Sequence, residues 1–137
     1  MDELVNDGGE YPDFYPAEPS LPPNNSVDTE GGFYRLVRAA PPTPECFLST
    51  HEENPNRYKR CFTIEDKECV YGTSFWGSKD AVLKKQEALP EALGDRILAF
   101  GILDKTMGKM KQTLEAEHFT VWFKKNIIIH TSFQEVK

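Results

Sequence analysis

The chain has 137 residues, 39% of them hydrophobic, with ten prolines and a net charge of −6 at pH 7. That length suits one domain rather than two, and no stretch approaches the ~18–20 apolar residues of a helical membrane span. The first 32 residues carry eight acids and no Lys or Arg, which leaves the remainder at net +2; nucleic acid would need a denser basic stripe than that, and the acidic arm would repel it.

In chain order, residues 1–32 hold five of the ten prolines, Asn24-Asn25, and Gly-Gly at 8–9 and 31–32. Such a composition buries too little surface to offset its ordering entropy, so it reads as a disordered or draped arm. It has no basic start and no apolar run, and so no secretory signal. Tyr11, Phe14 and Tyr15 among Pro12, Asp13 and Pro16 form an acidic-aromatic segment. Residues 11–15 would order on a protein partner or on this same domain, or serve only as a solubilising tail.

Residues 33–47 open the domain. Phe33, Leu36 and Val37 make an apolar strand with Arg35 planted among them, and Pro41-Pro42 ends it by removing backbone donors. Thr43-Pro44-Glu45 reads as a cap with proline at the first helical position, carrying Cys46 and Phe47 inward. A guanidinium among apolar neighbours must find an anion or carbonyls, because burying it unpaired costs several kcal/mol. Glu45 is the plain intramolecular candidate.

Beyond it, 48–56 is a polar loop, 57–60 a basic rim, and Phe62 with Ile64 a short strand before a charged turn. Residues 69–76 form a strand in which Gly72 marks a bulge or a close backbone approach. Ser78 caps a helix that runs toward Pro90, with Asp80 in its first turn. Ile97–Leu103 is the most apolar run and reads as a buried strand. Residues 110–114 and His118–Phe123 follow as strands, 124–126 turns a hairpin, and 127–130 is its return. Residues 131–136 are a polar edge or a continuation. The fold class is α+β: an arm at 1–32, then one domain at 33–137 with a mixed, mostly antiparallel sheet and one main helix.

Self-contained chemical motifs are missing. The sequence has no phosphate-cradling glycine loop, no dinucleotide fingerprint and no serine elbow. The three histidines lack ligand spacing, so no metal site is expected. Cys46, Cys61 and Cys69 form no Cys-x-x-Cys pair, which favours reduced thiols in a cytoplasmic protein; a thiol paired with His51 is the alternative to a small buried cysteine.

One order of pieces carries further. Tyr34-Arg35 with Pro41-Pro42 and Phe47 precedes a Gly72-Thr73-Ser74 strand, a helix at Ser78, an apolar strand, and Glu115-Ala-Glu117. Over roughly 33–123 this resembles the ADP-ribosyltransferase fold, particularly its toxin branch, with Gly-Thr-Ser standing where Ser-Thr-Ser is usual. The resemblance implies NAD or a related anionic nucleotide as cofactor. Arg35 would hold its phosphates or ribose, and Thr73 and Ser74 would brace the strand beneath the nicotinamide. Glu117 would favour an oxocarbenium-like transition state. Strand alternation sends Glu117 and His118 to opposite sides, so an inward His118 leaves an Arg-Ser-His site without that acid. His118-Phe-Thr-Val-Trp also resembles small bacterial proteins of unassigned function. The competing reading is a non-enzymatic interaction module, an immunity or antitoxin-type partner that binds through its arm or an exposed sheet.

Overall fold

The computed structural model describes residues 11–137; the first ten residues of the expected arm lie outside them. A seven-stranded, wholly antiparallel sheet forms the frame, which makes this a small α+β domain. In chain order the strands are β1 (Val27–Asp28), β2 (Gly31–Val37), β3 (Thr73–Trp76), β4 (Ile97–Leu103), β5 (Gly108–Gln112), β6 (His118–Phe123) and β7 (Phe133–Glu135). Across the sheet they run β1-β5-β6-β3-β2-β4-β7. The helices are α1 (Thr50–Glu53), α2 (Ile64–Val70), α3 (Lys79–Ala88) and α4 (Pro90–Leu93). Among the described residues no helix is long and apolar enough to cross a membrane.

The main core lies on one face. Phe33, Val37, Phe75, Ala99, Leu103, Val121 and Phe133 all point there, as a period of two requires. The turn Pro44–Phe47 brings Cys46 and Phe47 down onto them, and Ile129 arrives from the segment after β6. The opposite face is covered in parts. α2 lies over β6, where the Trp122 indole N–H donates to the Glu68 carbonyl at 3.0 Å. α3 packs over β2 and β3.

The expected helix at Ser78 forms for the expected reason: its hydroxyl accepts the Ala81 N–H at 3.3 Å, and the helix stops before Pro90. Gly72 marks a close approach, because a side chain there would collide with Thr120 and the Val121 carbonyl on β6. Other expectations differ. Residues 69–70 end α2, so the strand begins only at Thr73. Ile64 starts that helix under a Thr63 cap, and Phe62 is 97% exposed rather than in a strand. The polar loop contains α1, held by a reciprocal cap in which Ser49 and Glu52 exchange N–H bonds at 2.9 and 3.1 Å. Residues 127–130 form no strand; the chain turns there, burying Ile129 and exposing Ile128. The sheet gains β7 instead, against β4.

The arm meets the domain earlier than its composition suggests. β1 pairs with β5 through Val27 opposite Met110, and Gly31 already begins β2. Tyr15 is half-buried against Tyr71, Leu21 packs with it beside Trp122, and Thr29 is fully buried with its hydroxyl on carbonyls of 104 and 108. Of the two options for the arm, the described part is draped.

Candidate functional site

β2 and β3 are joined by Tyr34 opposite Trp76. Beside that junction lies a cleft of about 280 Å³, lined by Arg35, Leu36, Ser74, Trp76, Lys85, Leu93, Arg96, Glu115 and His118. The sheet supplies its floor, α3 and the α4–β4 junction one wall, and the β5–β6 turn the other.

Arg35 stands half-buried with its guanidinium on carbonyls. Nε donates to the Cys46 carbonyl at 2.8 Å and Nη1 to that of Ser74 at 2.6 Å. The Phe47 and Phe75 rings lie 5.8 and 5.6 Å from its central carbon, toward the outer limit of cation–π range. Of the partners open to it in the sequence, carbonyls won over Glu45. Burial pulls its pKa down to about 10, which still leaves it charged at neutral pH. Two N–H groups are thus spent on tying the 44–47 turn to β3, and the rest make no bond to a described residue. The cation is a structural bolt whose charge also reaches the cleft.

His118 is buried at the first position of β6, opposite Trp76, whose ring meets it edge-on at 4.9 Å. Its Nδ1 lies 3.0 Å from the Thr113 carbonyl and 3.2 Å from the Thr113 hydroxyl. A carbonyl only accepts, so Nδ1 carries the proton and Nε2 the lone pair in the neutral ring. Burial lowers the ring's pKa below its ordinary value, against smaller opposing pulls from that carbonyl and Glu115. The hydroxyls continue inward, Thr113 to Thr120 at 2.7 Å and Thr120 to the Cys69 sulfur at 3.5 Å.

Thr73 and Ser74, expected to act together, go to opposite faces. Ser74 is exposed in the cleft. Thr73 is buried on the core side, donating to the Phe47 carbonyl at 3.1 Å. Glu117 is also separated from the rest. It sits exposed in the β5–β6 turn with a left-handed backbone (φ 65°), and its carbonyl accepts the Gly77 N–H at 2.8 Å. The carboxylate that does enter the cleft is Glu115, 2.7 Å from Lys85. The structure therefore gathers Arg35, Ser74 and His118 and leaves Thr73 and Glu117 outside.

No protein-family model, curated protein or solved structure matches this chain. The cleft is accordingly read from its own groups.

Lys85 and Arg96 are the site residues that sequence reasoning missed. A signal for Lys85 exists: Val82 is the fully buried residue of α3, and a residue three places on shares its face. Lys85 lies 5.9 Å from the Trp76 ring centre. Gln86, four places on from Val82, donates to the carbonyls of Leu93 and Arg96 at 2.9 and 3.1 Å, which fixes the wall that carries Arg96. Arg96 makes no ion pair with a described residue. Nothing local marked it. With three cations against one carboxylate, the cleft is electropositive and suits an anion.

Proposed function

We propose that this cleft binds an anionic nucleotide, and that NAD is the candidate to try first because of the resemblance to ADP-ribosyltransferases. The observation that carries the reading is the company kept by Arg96: a half-buried guanidinium with no carboxylate partner among the described residues, lining the same cleft as Lys85 and the Trp76 indole. A guanidinium fork suits a phosphate, and an indole suits a flat ring. The volume of about 280 Å³ lies just below the ~300–1,000 Å³ of typical ligand clefts, so it suits one end of a dinucleotide rather than the whole. Ser74 and the His118 ring offer hydroxyl and imidazole contacts on the floor. Glu115, rather than Glu117, is the acid within reach of a cationic centre in the bound ligand.

The test is calorimetry with NAD on the whole chain. The wild type is expected to give a saturable heat, and Arg96→Ala to weaken it about tenfold, the equivalent of ~1.4 kcal/mol. The Arg96 side chain makes no hydrogen bond or ion pair with a described residue, so that variant should melt close to the wild type. A wild type that gives no heat with NAD or with ADP would end the nucleotide reading. The interaction-module alternative has less to stand on, since Tyr15 already packs on the domain's own Tyr71.

A further inference from the structure

The core face of the sheet carries a second, larger cleft of about 410 Å³, separate from the one above. Phe14, Tyr15, Phe47, Tyr71 and Phe123 line it, five rings brought from four distant parts of the chain. Val121 and Ile129, both buried, close its inner end. Ligand clefts have this character: they fall in this size range, with apolar and aromatic walls and few polar groups. Close-packed interiors, by contrast, leave few voids larger than a water molecule.

The polar groups of the cleft differ at its two ends. On one side Ser49 and Glu52 satisfy each other through their reciprocal cap bonds. On the other, the turn after β6 brings Lys124 and Lys125 to the rim. Lys125 meets Asp13 of the arm at 3.6 Å, and Asp13 stands between the lining residues Pro12 and Phe14. That latch is weak by construction: the Asp13 side chain is 96% exposed and that of Lys125 38%, and such surface pairs contribute ~0–1 kcal/mol. An acid seated inside the mouth, with aromatic surface behind it, would hold Lys125 better than Asp13 does.

We propose that this cleft is a binding site for a flat, mostly aromatic small molecule bearing one acidic group. Its rings lie among Phe14, Tyr15, Phe47, Tyr71 and Phe123, and its acid replaces Asp13 on Lys125. The arm segment from Pro12 to Tyr15 is then a wall of the site rather than a tail.

The test uses the whole chain and two probes with the same rings, 1-anilinonaphthalene-8-sulfonate and its neutral counterpart N-phenyl-1-naphthylamine. Both are expected to bind saturably, one per chain, with fluorescence enhancement. Lys125→Glu should weaken the sulfonate about tenfold while moving the neutral probe less than about twofold. Phe14→Ala should weaken both at least about fivefold. Both substitutions alter exposed side chains, and thermal melts check that the fold survives. Amide shifts of the wild type provide the second readout, with perturbations expected at 13–15 and 123–130. Fluorescence that rises without saturating would mean adsorption only and would overturn the proposal. So would binding indifferent to both substitutions, or shifts centred on Trp76 and His118.

Discussion

The two clefts share one sheet, and they differ because neighbouring residues on a strand face opposite ways. Ser74 opens into the electropositive cleft, while Thr73 points into the core face and lines the aromatic one. His118 and Phe119 divide in the same manner, the ring of Phe119 meeting Phe33 across the core. In the polar cleft most titratable side chains are already committed, Glu115 to Lys85, His118 to Thr113 and Arg35 to two carbonyls, and Arg96 is the one left open among the described residues. In the aromatic cleft the walls are mostly apolar side chains, among them the rings of Phe14, Tyr15, Phe47, Tyr71 and Phe123. The first is thus preorganised for charge, and the second is shaped for apolar area. Arg35 is the point where the two meet, since its guanidinium packs on core rings yet lines the polar cleft.

The substitution that breaks this partition is Arg35→Ala. It strips the Cys46 and Ser74 carbonyls of their donors and removes the cation between Phe47 and Phe75. Charge-assisted hydrogen bonds contribute ~1.5–3 kcal/mol each. Unfolding by urea should show a loss on the order of 3 kcal/mol, and Arg35→Lys should recover less than half, because an ammonium cannot fork to two carbonyls. A loss below about 1 kcal/mol would mean that the 44–47 turn is held by Phe47 alone.

A smaller effect tests the buried imidazole through pH. Burial keeps the folded His118 pKa below the ordinary value of 6.5. Above that value both folded and unfolded rings are neutral, and the site is at full strength. As pH falls below about 6.5, the unfolded chain takes up a proton that the folded one refuses, so stability declines. The decline ends once the folded ring protonates as well. Between pH 7.5 and 5.5 the expected loss is on the order of 1 kcal/mol, within the limit of ~1.4 kcal/mol per pH unit for one proton. His118→Gln should lack that component. Parallel pH profiles for the two would place the titration elsewhere.

The parts of this structure legible in the sequence are those that local pattern decides. Alternation along His118–Phe123 yields β6 with Val121 on the core face and His118 and Trp122 on the other; Ser78 and Pro90 bound α3. What could not be read depends on partners far along the chain. Tyr15 looks like part of a tail until Tyr71 is beside it. Arg96 follows a short helix with no distinguishing neighbours, and Gln86 sets its position. Three consecutive isoleucines argue for a strand at 127–130, yet filling the core with Ile129 outweighs that preference and leaves Ile128 in solvent.

Glu117 shows the same limit at a single residue, because nothing in its side chain announces a left-handed backbone. For a residue with a Cβ that conformation costs on the order of 1 kcal/mol, and glycine avoids it. Glycine also adds freedom to the unfolded chain, so Glu117→Gly should stabilise by only about 0.5 kcal/mol. The backbone bond from Gly77 to the carbonyl of 117 survives the change. Affinity for NAD should stay within about twofold, since the side chain lies outside the polar cleft, whereas Glu115→Gln should alter it by releasing Lys85. A stabilised Glu117→Gly protein that no longer bound NAD would reverse the assignment of the two carboxylates. It would mean that the turn swings the outer acid inward when the ligand arrives.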